Sequence, residues 1–204
     1  MSIRISMTLC VIASLLGMSA ASGCFAQGQR RIGEQRLPGP ERVEVGVWSL
    51  PALTGYERRR SDASIFQTVN YRLESKESRI FLRFGRIHGP DLPVFSLEHE
   101  MRDTVRMLRA SYPSAASRIR AWRVTFRGIP GYQTEWNYRE GGQRVWCRTL
   151  RFRDGLDQYM ISATVRGNIP EGLARERLDD AWRLLTSGLR REEVRQPDAL
   201  KNNP

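Results

Sequence analysis

Three thiols and two imidazoles are the side chains best suited to nucleophilic or metal chemistry: Cys10, Cys24, Cys147, His88 and His99. Cys147 stands beside Arg148, and a neighbouring cation favours the thiolate that attacks carbonyl and phosphoryl groups. A catalytic thiol also needs a base in hydrogen-bond reach, and neither histidine shares its segment. The simpler reading of Cys147 is a small half-buried strand residue. His88 belongs to a His-Gly-Pro turn and His99 lies between Glu98 and Glu100, so both read as solvated. Neither has a second histidine or a cysteine at metal-ligand spacing, so no metal and no cofactor is expected. Asp179-Asp180 and Glu192-Glu193 are adjacent carboxylates, but adjacent positions point in different directions and do not make an acid/base pair. Phosphate-loop, nucleophile-elbow and EF-hand patterns are missing. No catalytic residue is assigned, and the chain reads as non-enzymatic; a small enzyme using Cys147 is the alternative.

Cys24 suggests a different kind of chemistry. Arg4 precedes an apolar run over residues 5–18, and Ser19, Ala20, Ala21, Ser22 and Gly23 lead to Cys24-Phe25-Ala26. A basic start, a short apolar stretch and a small-residue end describe a secretory signal, here residues 1–26. The run falls short of the roughly 20 residues of a membrane span. Two outcomes stay open. Cys24-Phe25-Ala26 fits ordinary cleavage after Ala26, which releases a periplasmic or secreted protein. Ala21-Ser22-Gly23-Cys24 fits a lipoprotein box, in which Cys24 is lipidated and tethers the chain to a membrane. Under the first outcome Cys147 is the one thiol left, so the domain is held by its core without an intrachain disulfide.

The formal net charge is +11, and Lys76 and Lys201 are the only lysines among the basic residues. Arginines occur in every segment, which points to codon usage more than to one selected patch. For an exported protein the matching partners are an envelope protein or an anionic envelope component such as a lipid headgroup or glycan, and not nucleic acid. The Arg58-Arg59-Arg60 run reads as a solvated strand end.

The elements that must position these residues occupy the middle of the chain. Residues 27–41 are polar, with Pro38-Gly39-Pro40, and read as a linker; residues 191–204 read as a disordered tail. A single domain is expected over 42–190. Strands are predicted at 43–50, 55–60, 67–73 and 79–87. Ser96 caps a helix with Leu97, Met101, Val105, Leu108 and Tyr112 on one stripe, and Pro113 ends it. Four alternating segments follow, 119–127, 132–139, 144–153 and 158–166, joined by short turns at 128–131, 140–143 and 154–157, which predicts an antiparallel meander. Pro170 then opens a helix with Ala174, Leu178, Ala181, Trp182, Leu185 and Leu189 on one face. The fold class is α+β: an antiparallel sheet with a C-terminal four-stranded meander, flanked by two main helices in an α/β/α-like sandwich.

Alternation sorts the meander into two faces. Trp122, Val124 and Phe126, then Tyr132, Trp136 and Tyr138, then Trp146, Leu150 and Phe152, and finally Tyr159, Ile161, Ala163 and Val165 are expected to share the core face. The opposite face carries Gln133, Glu135, Asn137 and Arg139 of the second strand, Cys147 of the third and a set of arginines, of which Arg123, Arg127, Arg151 and Arg153 form the expected binding surface. Arg148 falls on the apolar side and marks a bulge, a sheet edge or a buried ion pair.

The order of elements resembles the PsbP-like superfamily of PsbP, Mog and DcrB-type proteins. The residues that carry the resemblance are Gly128-Ile129-Pro130-Gly131-Tyr132, Asp154-Gly155 before Gln158-Tyr159-Met160-Ile161-Ser162, and Leu184-Leu185-Thr186-Ser187-Gly188-Leu189. The early Pro-x-x-Trp of such proteins is absent, since Trp48 precedes Pro51. The resemblance implies an accessory or binding role in the cell envelope and supplies no catalytic residue.

Overall fold

The computed structural model describes residues 35–36, 42–63, 66–89 and 96–192, all within one unit spanning 33–204. The expected signal 1–26, with Cys10 and Cys24, lies outside the described residues, as does most of the expected linker and tail. In chain order the elements are β1 (Gln35–Arg36), β2 (Val43–Val45), β3 (Trp48–Leu50), β4 (Glu57–Ala63), β5 (Phe66–Glu74), β6 (Ser78–His88), α1 (Leu97–Ser111), a 3-10 helix (Pro113–Arg118), β7 (Arg120–Phe126), β8 (Ile129–Glu140), β9 (Gln143–Asp154), β10 (Asp157–Gly167), α2 (Glu171–Gly188) and β11 (Arg190–Arg191).

Eight strands form one antiparallel sheet in the order β1-β4-β5-β6-β10-β9-β8-β7, and β11-β3-β2 form a small second sheet. The α+β class, the four-stranded meander and the two flanking helices are as the sequence predicts. The Ser96 hydroxyl accepts the His99 amide at 3.2 Å, and Glu98 and Glu100 sit in the first turn of α1 where the helix dipole favours negative charge. Pro170 stands at the start of α2, whose Ala174, Leu178, Ala181 and Leu185 are buried. Within the expected linker, Gln35–Arg36 pairs with Arg59 and Arg60 of β4, and at the boundary between the expected domain and tail Arg190–Arg191 pairs with Trp48 and Ser49 of β3.

The expected single strand over 43–50 is instead a hairpin. Gly46 has φ +62°, which reverses the chain, and a Cβ there would run into the Tyr159 hydroxyl and the Arg86 side chain. The reversal swings Trp48, fully buried, over the main sheet. Its indole packs against Phe126, Phe152 and Tyr159 with ring centres 5.4 to 6.3 Å away, and its Nε1 donates to Asp154 at 3.0 Å. Arg58, expected to be solvated, is buried in β4.

Two-residue turns decide which side chains share a face. Gly141 and Gly142 both have positive φ, and the turn pairs Glu140 with Gln143. Each even-numbered residue of β8 therefore lies across from an odd-numbered residue of β9: Tyr132 from Arg151, Trp136 from Cys147, Tyr138 from Val145. This corrects the expected faces. Tyr132, Trp136 and Tyr138 lie on the side of Cys147, Arg151 and Arg153, opposite Trp146, Leu150 and Phe152.

Both faces are consequently covered. On one, α2 and the small sheet bury Leu82, Phe84, Trp146, Leu150, Phe152, Tyr159 and Ile161 in the main apolar core. On the other, α1 packs over β7 and β8: the Tyr112 ring lies 4.3 Å from Tyr138 and 6.3 Å from Trp136, and Thr104 hydrogen-bonds Tyr132 at 2.9 Å. The polar sheet surface expected on this second side is interior at Cys147, Thr149 and Arg151, while Arg123, Thr125 and Arg127 remain exposed.

Candidate binding cleft

At the β7 end of the main sheet, the side covered by α2 leaves a cleft of about 250 Å³ between the 3-10 helix and the start of α2. Alternation in β7, β8 and β9 aims Arg120, Glu135, Asn137 and Arg144 toward it, the 3-10 helix adds Ser117 and Arg118, and α2 adds Glu171 and Arg175. Pro113 opens the 3-10 helix and sets the rim.

The cleft's charges do not cancel. Glu135 is held by Arg148 at 3.0 Å and Glu171 by Arg175 at 2.8 Å. Arg118 donates to the Asn137 side-chain oxygen at 3.0 Å and to the Ser114 carbonyl at 2.9 Å, both neutral acceptors. Arg120 and Arg144 are exposed and have no hydrogen-bond or ion-pair partner among the described residues. Arg139 lies directly across from Arg144 in the ladder and extends the basic rim. Converging guanidinium groups with spare donors suit carboxylate, phosphate or sulfate oxygens, which they engage two at a time.

The four arginines of the expected binding surface do not come together. Arg123 is bound by Glu98 and Arg153 by Glu100, both on α1. Arg127, in a turn with φ 49°, points at the other end of α2 and donates to the carbonyls of Thr186 and Ser187 at 3.4 and 3.3 Å. Arg151 is 3% exposed. The sequence reading missed Arg118, Arg120, Arg139 and Arg144 because Gln133, Glu135, Asn137 and Arg139 were assigned to the other face. The signal that would have found them is the Gly141-Gly142 turn, which fixes the relative parity of β8 and β9.

The remaining candidates resolve into structural roles. Arg148 sits in an ion pair with Glu135 and Asp179, with its guanidinium 5.7 Å from the Trp182 ring. Asp180 pairs with Arg183, so the adjacent aspartates face different partners. The Cys147 thiol is buried, accepts a hydrogen bond from Thr164 at 3.7 Å, and has its pKa pushed up by burial to about 12. Such a thiol is protonated at neutral pH. His88 lies 2.5 Å from Asp157, which also binds Arg86 at 2.7 Å; burial alone would raise the Asp157 pKa, but the hydrogen bonds from Arg86 and His88 hold it below the ordinary value. His99 pairs with Asp103 at 3.0 Å. Among the described residues no three His, Cys, Asp or Glu side chains group as metal ligands, and no helix is long and apolar enough to cross a membrane.

No family model and no curated protein matches the chain. The solved structures similar to it include the following two. One is LpqN of Mycobacterium tuberculosis, described as involved in cell envelope biogenesis, with TM-score 0.44 and 11% identity over 78% of this chain and 91% of that one. The other is PA94 of Pseudomonas aeruginosa, described as a protein of unknown function and putative regulator, with TM-score 0.44 and 11% identity over 70% of this chain and 90% of that one. Likeness at these values carries no argument about what the protein does.

Proposed function

We propose that the protein is an exported, non-enzymatic accessory or binding protein of the cell envelope, and that it holds an anionic envelope component in the arginine cleft. The observation that carries this reading is the group Arg118, Arg120 and Arg144, which surrounds a cleft whose two carboxylates are already bound by other arginines. The signal-like first 26 residues supply the export, and lipidation of Cys24 would add a membrane tether. A protonated, buried Cys147 and carboxylates bound to arginines favour binding over catalysis. Membership of the PsbP-like superfamily belongs to the same proposal and rests on the motifs quoted above, which fall in the β7–β8 turn, the β9–β10 turn with the start of β10, and the last turn of α2.

The test is crosslinking in native envelope fractions followed by recovery of the protein. The wild type is expected to carry an anionic component that the Arg120→Glu/Arg144→Glu variant loses, with recovery falling between 0.05 and 0.5 M salt as roughly Debye-screened attraction demands. Equal recovery by the variant sinks the cleft as the contact. An intact mass beginning at Gln27 indicates release, and one beginning at an acylated Cys24 indicates a tether.

A further inference from the structure

Among the described residues, Arg151 has one whole edge of its guanidinium unmatched. It is 3% exposed, and its Nε and Nη2 are buried without a hydrogen-bond partner. Those two atoms form one edge of the guanidinium, with parallel N–H bonds that match two oxygens of a single oxyanion. The chain shows what that edge binds elsewhere: Arg191 uses Nε and Nη2 to hold both oxygens of Asp154 at 2.8 Å each.

The surroundings supply further donors. Tyr132 lies across from Arg151 on β8, and its hydroxyl shares one proton with Thr104 of α1, leaving a second to donate. The Thr134–Thr149 hydroxyl pair beside it, at 2.6 Å, likewise keeps a spare proton. Glu100, the carboxylate that α1 turns toward this stretch, is engaged by Arg153 at 2.9 Å and by Gln158 at 3.3 Å. A buried cation with unsatisfied donors is costly, and a bound oxyanion removes that cost.

We propose that Arg151 anchors a binding site for a small oxyanion beneath α1, separate from the cleft, and that its Nε–H and Nη2–H edge grips two oxygens of one carboxylate or phosphate group. Hydroxyls from Thr104 or Tyr132 complete the contact. The site serves either a free anion or the anionic end of a larger ligand.

The test titrates ¹⁵N-labelled full-length protein with inorganic phosphate and, separately, with acetate, following the arginine Nε–H resonances. The expected result is a saturable shift of the Arg151 resonance with one of the two anions, which also says whether phosphate or carboxylate is preferred. Calorimetry should show binding at least tenfold weaker in Arg151→Lys, which keeps the charge and loses the edge, and in Arg151→Gln. The resonance shift stands without either variant should one fail to fold. No saturable shift with either anion overturns the proposal. So does anion binding that survives in Arg151→Gln and disappears in Arg120→Gln/Arg144→Gln, because that places the anion in the cleft.

Discussion

The two faces of the main sheet are made by the same strands and do different work. The side under α2 is an apolar core whose charged groups sit at the rim, some paired, as with Arg148 between Glu135 and Asp179, and others, Arg120 and Arg144, facing the cleft. The side under α1 mixes Tyr132, Trp136 and Tyr138 with Cys147, two hydroxyl pairs and Arg151. A face that buries carbon gains stability in proportion to area. A face that buries polar groups gains only when each finds a partner, and loses where one does not. The contrast locates apolar stability on the α2 side, where the spare donors lie at the exposed cleft, and buried unused hydrogen-bonding capacity on the α1 side.

The sharpest way to break this comparison is Trp48→Ala, which empties the centre of the α2-side core and should cost about 3–5 kcal/mol in urea unfolding. A loss below about 1 kcal/mol would mean the small sheet contributes little to the core. Arg151→Met should act in the opposite direction. Replacing an unpartnered buried cation by an apolar chain of similar length is expected to leave stability unchanged or raise it by about 1–3 kcal/mol, while removing anion binding. A large loss of stability would show that the guanidinium is satisfied by the protein itself. Thr134→Val should cost about 1 kcal/mol, and adding Thr149→Val should recover part of it, because the second change removes a hydroxyl that the first leaves alone.

The smallest effects separate the faces by pH. Asp157, on the α2 side, has a lowered pKa in the folded protein, so the stability it supplies is present above its unfolded pKa and is lost as the pH falls through the folded value. Cys147, on the α1 side, is raised from 9.0 to about 12, so its contribution is full below pH 9 and declines as the pH climbs toward 12. Unfolding midpoints across pH should therefore lose acid sensitivity in Asp157→Asn and alkaline sensitivity in Cys147→Ala. Unchanged profiles would remove each residue from the account.

Much of this architecture is readable in the chain because local chemistry dictates it. Ser96 and Pro113 bracket α1, Pro170 opens α2, and the Gly-bearing turns at 128, 141–142 and 155 mark the meander. The faces were harder, since aromatic residues populate both: Trp136 and Tyr138 look like core partners of Trp146 until the turn's register puts them across from Cys147 and Val145. The cleft was illegible for the same reason, with Arg120, Arg144 and Arg118 drawn from three separate elements. The Gly46 reversal was hidden because two three-residue strands separated only by Gly46 and Val47 read as a single strand.

The pairing of β6 with β10 has a consequence in time. Every other neighbour pair in residues 57–88 and 120–167 joins strands adjacent in the chain, whereas Ser78 must find Gly167 and His88 must find Asp157. Hairpins close in microseconds, but a ladder between distant segments must first overcome the entropy of the intervening loop. Each half of the sheet is therefore expected to form early, and joining them along this seam is expected to be the slower step.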